Sequence, residues 1–396
     1  MEDVILENAD IYTGEEEIRG GSIYISNGKI MEVSANRTIT KENIRTIDCR
    51  GLGWVVPGMI DIHIHGASGH DVMDGTSEAL LEMCKVLPSE GTTSFLATTM
   101  TSSESLIDRA LVNAAHHIRS SNNSGAELLG FHLEGPFINK EKRGAQRAEH
   151  IKVPDVEKFQ RWQELSGESI KLVTLAPEKD KDFTLIKYLN NKGITVSMGH
   201  TNGNYEMLTE ATFQGVSHAT HLFNGMSGLH HREPGAAGAA LLSPDTSVEV
   251  IFDKIHVAPE MIKLAYNLKG SDKFILITDA MRAKNLVDGV YQLGGQEVFV
   301  RSGKALNEEG SLAGSTLHMH EARRNFANWI DHDVSVLTKI TAVNPAKKIG
   351  VYHRKGSIHP GKDADIIVIN DAGDVVLSMC RGELQATESL GKGMVQ

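Results

Sequence analysis

The chain has 396 residues, 40% of them hydrophobic, and a formal net charge of -11, enough apolar content for a sizeable core in one large domain with a smaller companion. The acidic balance, with no basic tract, excludes a general nucleic-acid binder, and no apolar stretch reaches the ~20 residues of a membrane span. Three widely separated cysteines, Cys49, Cys84 and Cys380, suit neither a disulfide framework nor a Cys-type zinc site, and MEDVILENAD has no secretory-signal pattern, so a cytoplasmic protein is expected.

Residues 1–56 read as β structure. VILENADIYTG and GSIYISNGKIMEVS are short alternating runs, and Asn27-Gly28 is a hairpin-turn pair. From 57 to 350 the pattern changes. Strand-like runs fall near 56–66, 92–100, 128–136, 170–178, 194–200, 217–224, 248–256 and 274–280, and most gaps between them are helical, as in SLIDRALVNAAHHIRS and DVEKFQRWQELSG. Gly91, Gly193 and Gly215 stand where such helices stop. Strand and helix in repeated alternation call for a parallel sheet. Eight repeats over roughly 290 residues predict an α/β fold of the (β/α)8 TIM-like barrel type. The alternative is an open doubly wound sheet, although no G-x-G-x-x-G follows the first strand to support its dinucleotide-binding form. Residues 351–396 return to β character, with apolar runs at 366–370 and 375–380 around Asn370-Asp371-Ala372-Gly373. The two β-rich ends are expected to meet in one small β-sandwich domain beside the barrel.

In such a barrel, chemistry gathers at the C-terminal ends of the strands. MIDIHIHG ends the first run with His63 and His65, which alternation places on one face with Asp61. The third run ends in His132 and Glu134, the fifth in His200, the sixth carries His218 and His221, the seventh ends in His256 and the eighth in Asp279. A single histidine at a strand end is commonly a hydrogen-bonded core residue. Imidazoles or carboxylates at six of eight strand ends point instead to a metal. Glu134, His200 and His221 form one candidate ligand set, with His63 and His65 placed to help hold a second ion. Asp279 suits a proton acceptor beside a metal-activated water, or alternatively a helix N-cap.

MIDIHIHG, FHLEGPF, SMGHT, THLFNGMS and LITDAM, with HHREPGAAG, LAGST and the NPAKKIG…KGSI…GKDADI tail, resemble the amidohydrolase superfamily and, more narrowly, its N-acetylglucosamine-6-phosphate deacetylases. The resemblance covers nearly the whole chain. It implies a metallo-dependent hydrolase barrel, metal ligands at Glu134, His200 and His221, a catalytic acid/base at Asp279, and one or two divalent ions per subunit (Zn or Fe first, then Mn, Co or Ni). Both histidines of H-x-H are present, so a binuclear site is compatible with it. It also implies substrate contacts at Ala145, Gln146, Asn224, Gly225, His231, Arg232, His256, Leu312, Ala313 and Gly314, with His256 stabilising the oxyanion and Arg232 the phosphate. The expected partners are a sugar phosphate and a second copy of the chain, whose loop 230–232 reaches the neighbouring site. The rival readings are a deacetylase for a different N-acyl substrate and, outside enzymes, a scaffold that has lost its ligands. Retention of Glu134, His200, His221 and Asp279 argues against the scaffold.

Overall fold

The computed structural model describes residues 2–35, 39, 44–120 and 124–385, so positions 386–396 of the expected C-terminal β segment lie outside the described residues. Eight parallel strands stand in sequence order around a barrel: β1 (Met59–Ile64), β2 (Thr92–Thr98), β3 (Glu127–Glu134), β4 (Ile170–Leu175), β5 (Thr195–Met198), β6 (Val216–Ala219), β7 (Ser247–Ile251) and β8 (Phe274–Ile277). The ring closes just beyond β8, where the Asp279 N–H donates to His63 O at 2.9 Å and the His65 N–H donates to Ala280 O at 2.9 Å. Eight helices follow the strands: α1 (Ser77–Val86), α2 (Glu104–Arg119), α3 (Val156–Leu165), α4 (Thr184–Asn191), α5 (Tyr205–Gln214), α6 (Gly235–Leu242), α7 (Pro259–Lys269) and α8 (Met319–Trp329). No helix among the described residues is long and apolar enough to cross a membrane.

Local chemistry accounts for the boundaries. Asp155 and Asn204 cap α3 and α5, their side chains accepting from the Lys158 and Met207 N–H groups. Gly215 ends α5 at φ +130°, where a side chain is strongly disfavoured. Several strands are shorter than the apolar runs that foreshadow them. β5, β6 and β8 stop at Met198, Ala219 and Ile277, and the backbone turns left-handed at His200, His221 and Asp279, with φ of +48°, +30° and +49°. Three polar residues that pattern alone assigns to strands therefore sit on the rim, turned out of the ladder.

The two ends of the chain join in a second, eight-stranded sheet. The strand Trp54–Pro57 lies inside it, pairing with Val4–Tyr12 on one side and Ile366–Ile369 on the other. Alternation lets these strands serve two cores. Val55, Ile366 and Val368 face the core of the small sheet, while Val56, Ile367 and Ile369 pack into the barrel core. Gly58 then leads directly from Pro57 into β1. An additional three-stranded sheet (Gly289–Leu293, Gln296–Arg301, Lys304–Asn307) rises between β8 and α8 and carries its own apolar cluster with Met100, Met281 and Ala313.

Charge pairing fastens the small sheet to the closed end of the barrel. Lys355, almost wholly buried, lies 2.6 Å from Glu127 at the start of β3 and 3.1 Å from Asp363, and it also pairs with Asp365. Arg354 bridges Glu127 and Asp363. Burial by itself raises the Asp363 carboxyl, but Lys355, Lys29 and Arg354 bring it down to about 2, and Lys355 and Arg354 likewise outweigh burial at Glu127. Carboxyls lowered in this way stabilise the fold above their ordinary pKa, and that stability is lost as pH falls toward the folded value. The thermal midpoint of the full chain is therefore expected to fall as the pH drops from about 4 toward about 2. Lys355→Met is expected to cost roughly 3–5 kcal/mol near neutrality and to flatten that acid slope. Thermal unfolding of both proteins across pH checks it, and parallel slopes count against the network.

Candidate active site

The open end of the barrel gathers the polar residues that the strands end in. β1 delivers His63 within the strand and His65 one residue past it; β3 delivers Glu134; the turns after β5, β6 and β8 deliver His200, His221 and Asp279. All six are buried. The other ring nitrogen of three of the imidazoles is engaged: His63 Nδ1 with Glu249 Oε2 at 3.0 Å, His65 Nδ1 with Thr98 O at 3.2 Å, and His200 Nδ1 with Lys142 O at 2.8 Å. In the neutral ring, an Nδ1–H donating to an oxygen leaves Nε2 as the lone-pair end. All three Nε2 atoms turn inward.

Glu134 stands at the centre. Its Oε1 lies 3.0 Å from His200 Nε2, 3.2 Å from His221 Nε2 and 3.6 Å from His63 Nε2, and its Oε2 lies 3.4 Å from His65 Nε2. Asp279 Oδ1 lies 3.4 Å from His63 Nε2 and 3.2 Å from His65 Nε2. Burial favours the neutral acid, yet His63, His200 and His221 hold the Glu134 carboxyl well below the usual range. Burial is likewise overcome at Asp279, by His63 and His65, and at His63, where Asp279, Glu134 and Glu249 raise the imidazole to about 10.

Two groups can each hold an ion: Glu134 with His200 and His221, and His63 with His65 and Asp279, the ligand atoms of each lying within 4.8 Å of one another. His200 Nε2 and His221 Nε2 are only 3.2 Å apart, and His63 Nε2 is buried with no hydrogen-bond partner among the described residues. Nitrogen and oxygen lone pairs this close repel unless a proton or a metal ion lies among them. The donor set therefore fits a divalent cation.

A cavity of about 370 Å³ opens above these residues. Its lining includes His65, Glu134, Ala145, Gln146, His200, His221, Asn224, Gly225, His256, Asp279, Leu312 and Gly314, all expected from the sequence, together with Met100, Phe223, Leu293 and Ser311. Two larger hollows, of about 730 and 600 Å³, lie along the small sheet and beside α3, and among the described residues neither contains a comparable group of ligands. Chemistry, rather than size, selects the site. His63 lies behind the lining, and Ala313 belongs to the apolar cluster under the extra three-stranded sheet. His231 and Arg232 are exposed on a loop outside this cavity, where Arg232 Nη1 lies 2.7 Å from His231 Nε2. Among the described residues, no lysine or arginine lines the cavity.

Several expected placements differ in detail. His256 is not at a strand end. β7 stops at Ile251, and His256 lies on the following loop, its N–H donating to Asp253 Oδ1 at 2.8 Å and its Nδ1 lying 2.6 Å from Asp253 Oδ2. Burial lowers this imidazole, but Asp253 raises it above its ordinary value. Asp61 belongs to neither ligand group and accepts from the Thr278 hydroxyl at 2.5 Å, stitching β1 to the end of β8. Burial pushes its carboxyl up to about 6. His132 and His218 lie beneath the ligands, against Thr174 and Glu249. The Gln146 side chain donates to Glu134 Oε2 at 2.8 Å and accepts from the Thr101 N–H at 2.7 Å, so its amide is committed to the ligand shell. Sequence reasoning missed Glu249 and Asp253. The available signal for Glu249 was a carboxylate at the inward-facing centre of an otherwise apolar strand, VEVIF.

The profile of the Amidohydrolase family matches residues 54–385. Among curated relatives, the N-acetylglucosamine-6-phosphate deacetylase of Bacillus subtilis (strain 168) is 46% identical over 97% of each chain. The Lysinibacillus sphaericus protein of the same name is 38% identical over 93% of this chain and 94% of its own. The crystal structure of N-acetylglucosamine-6-phosphate deacetylase from Pasteurella multocida superposes with a TM-score of 0.90 at 30% identity, covering 97% of this chain and all of that one.

Because Glu134 touches both ligand groups, Glu134→Ala is expected to leave less than roughly a tenth of the wild-type metal in the purified protein. Elemental analysis of both proteins reads this directly. Retention of a full complement would remove Glu134 from the ligand set.

Proposed function

The chain belongs to the amidohydrolase family and groups with its N-acetylglucosamine-6-phosphate deacetylases, and we propose that it hydrolyses N-acetyl-D-glucosamine 6-phosphate to D-glucosamine 6-phosphate and acetate. The observation that carries this reading is the convergence of Glu134, His200 and His221 with His65, Asp279 and His256 on one cavity. Glu134, His200 and His221 would hold one divalent ion, Zn or Fe by ligand type, and His63 and His65 would hold a second beside Asp279. Bound there, such an ion supplies Lewis acidity toward an acyl carbonyl and lowers the pKa of water toward about 7.

The chain's own residues supply the rest. Asp279, held ionised by His63 and His65, takes the proton of the attacking water and returns it to the departing amine. Burial disfavours a charged His256, but Asp253, accepting from its Nδ1–H, raises the imidazole above its ordinary value, and in its protonated form the ring offers a second N–H, at Nε2, to the developing oxyanion. Gln146 fixes Glu134 so that one of its oxygens stays directed at His200 and His221. Ala145, Asn224, Gly225, Leu312 and Gly314 line the walls that receive the sugar, and Met100, Phe223 and Leu293 close the apolar side of the cavity.

A sugar 6-phosphate brings a dianion, and among the described residues no lysine or arginine lines the cavity of one chain to meet it. Arg232 has the planar guanidinium suited to phosphate and sits exposed beside His231 outside that cavity. We place it in the neighbouring site of a homodimer, with His231. The three buried free cysteines, Cys49, Cys84 and Cys380, suit a reducing cytoplasm.

Acetate release from N-acetylglucosamine 6-phosphate, measured beside its C4 epimer and the unphosphorylated sugar, tests the substrate. Strong preference for the first is expected, and indifference to the phosphate would discard the role given to Arg232. Asp279→Asn is expected to keep substrate binding while losing roughly 10²- to 10⁴-fold in kcat, read in parallel binding and turnover assays. Co-expression of Asp279→Asn with Arg232→Ala chains tests the neighbour's contribution. If Arg232 acts across the dimer, roughly a quarter of the sites are intact and activity reappears, whereas action within one chain gives none.

A further inference from the structure

We propose that Glu249 is a positioning residue: its carboxylate sets the tautomer and aim of His63, so that the His63–His65–Asp279 group turns the His63 Nε2 toward a cation, which takes the place of the proton there. This rests on the metal reading given above and assigns a role to a residue outside the cavity. Glu249 lies in β7, fully buried, at a position where the strand's apolar pattern accommodates leucine. Its Oε2 is 3.0 Å from His63 Nδ1 and 3.3 Å from the His221 N–H, and its Oε1 is 3.0 Å from His218 Nε2.

An ionised carboxylate only accepts, so both imidazoles must donate to it. His63 is then protonated on Nδ1, and its Nε2, 3.4 Å from Asp279 and 3.6 Å from Glu134, becomes the coordinating end. His132 packs edge-on against the His63 ring, with centroids 4.5 Å apart and planes at 84°, which restrains the ring's remaining rotation. A carboxylate behind an imidazole also makes the ring a stronger donor to a metal. The same carboxylate reaches the main chain of His221, which takes the left-handed φ of +30°. Glu249 thus touches a member of each ligand group without facing the cavity.

A rival reading of these atoms is a third ion held by His63, His132 and Glu249, whose ligand atoms also cluster within 4.8 Å. Against it, the oxygens of Glu249 are already met by two imidazoles and an amide N–H, and His132 Nε2 is 2.6 Å from the Thr174 hydroxyl. The oxygens of Glu249 are thus satisfied; of the atoms left over, His63 Nε2 belongs with Asp279, and among the described residues His132 Nδ1 is buried without a partner but finds no open oxygen of Glu249 to share an ion with.

The test is titration of the metal-free full chain with Co(II), read by absorbance and by metal content after gel filtration, for the wild type, Glu249→Leu and Glu249→Gln. The wild type is expected to take up two equivalents. Glu249→Leu should weaken one of them by about 10- to 100-fold and the other by no more than a few-fold. Glu249→Gln keeps an oxygen that accepts from His63 Nδ1–H, so its loss should be under roughly tenfold, a rescue that a purely steric role does not produce. Wild-type affinities in Glu249→Leu, equal losses in both variants, or joint loss of both equivalents overturns the proposal. Uptake of a single equivalent by the wild type instead removes the second ion itself, and the proposal with it. Histidine ¹⁵N shifts of the zinc-loaded wild type decide the matter even if Glu249→Leu does not fold. Protonated His63 Nδ1 supports the assignment, and a deprotonated Nδ1 ends it.

Discussion

Closure of the barrel runs through the residues of the site. The last strand ends at Ile277, and the ring is completed beyond it by main-chain hydrogen bonds joining Asp279 to His63 and Ala280 to His65. A parallel barrel has to close somewhere, and here the seam places a carboxylate against two imidazoles with no linking loop to loosen them. The spacing of Asp279 from His63 and His65 is therefore as rigid as the barrel. Ser315 extends the seam, its N–H donating to Asp279 O at 2.7 Å.

That rigidity comes with local strain. His200, His221 and Asp279 occupy positive φ values that L-residues avoid, and each is held there by its surroundings. His200 is fastened through Lys142 O, His221 through Glu249, and Asp279 through the seam itself. Beneath Asp279, Thr278 is bound to Asp61, and the loop beyond it is anchored by Lys284, fully buried 2.6 Å from Glu90. Such charges are costly to bury, and they are concentrated where they fix main chain that β pairing alone leaves unsupported.

The two ends of the barrel divide the electrostatic work. At the open end, carboxylates and imidazoles approach closely enough that a cation belongs among them. At the closed end, Lys355 and Arg354 neutralise Glu127, Asp363 and Asp365 and hold the small sheet in place. The strand Trp54–Pro57 couples the two bodies mechanically, because alternate residues belong to different cores and the chain then enters β1, the strand that carries His63.

Much of this was legible in the linear order of residues. Strand and helix periodicities announce a parallel barrel, and the β-rich ends announce a second sheet, because period and turn chemistry are local properties. Residue type at the strand ends was legible too: His63, His65, Glu134, His200, His221 and Asp279 break apolar runs where side chains should be buried. Orientation was not. Apolar pattern carried β5, β6 and β8 too far, since the left-handed turns at their ends depend on contacts from other strands. The loop position of His256, the commitment of Gln146 to Glu134, and the place of Arg232 outside its own chain's cavity are all set by packing across the barrel. Glu249 shows the division most clearly. Its partner His63 is 186 positions away in sequence, and no local pattern relates them; only closing the barrel brings β7 and β1 onto one interior where a carboxylate and an imidazole can meet at 3.0 Å.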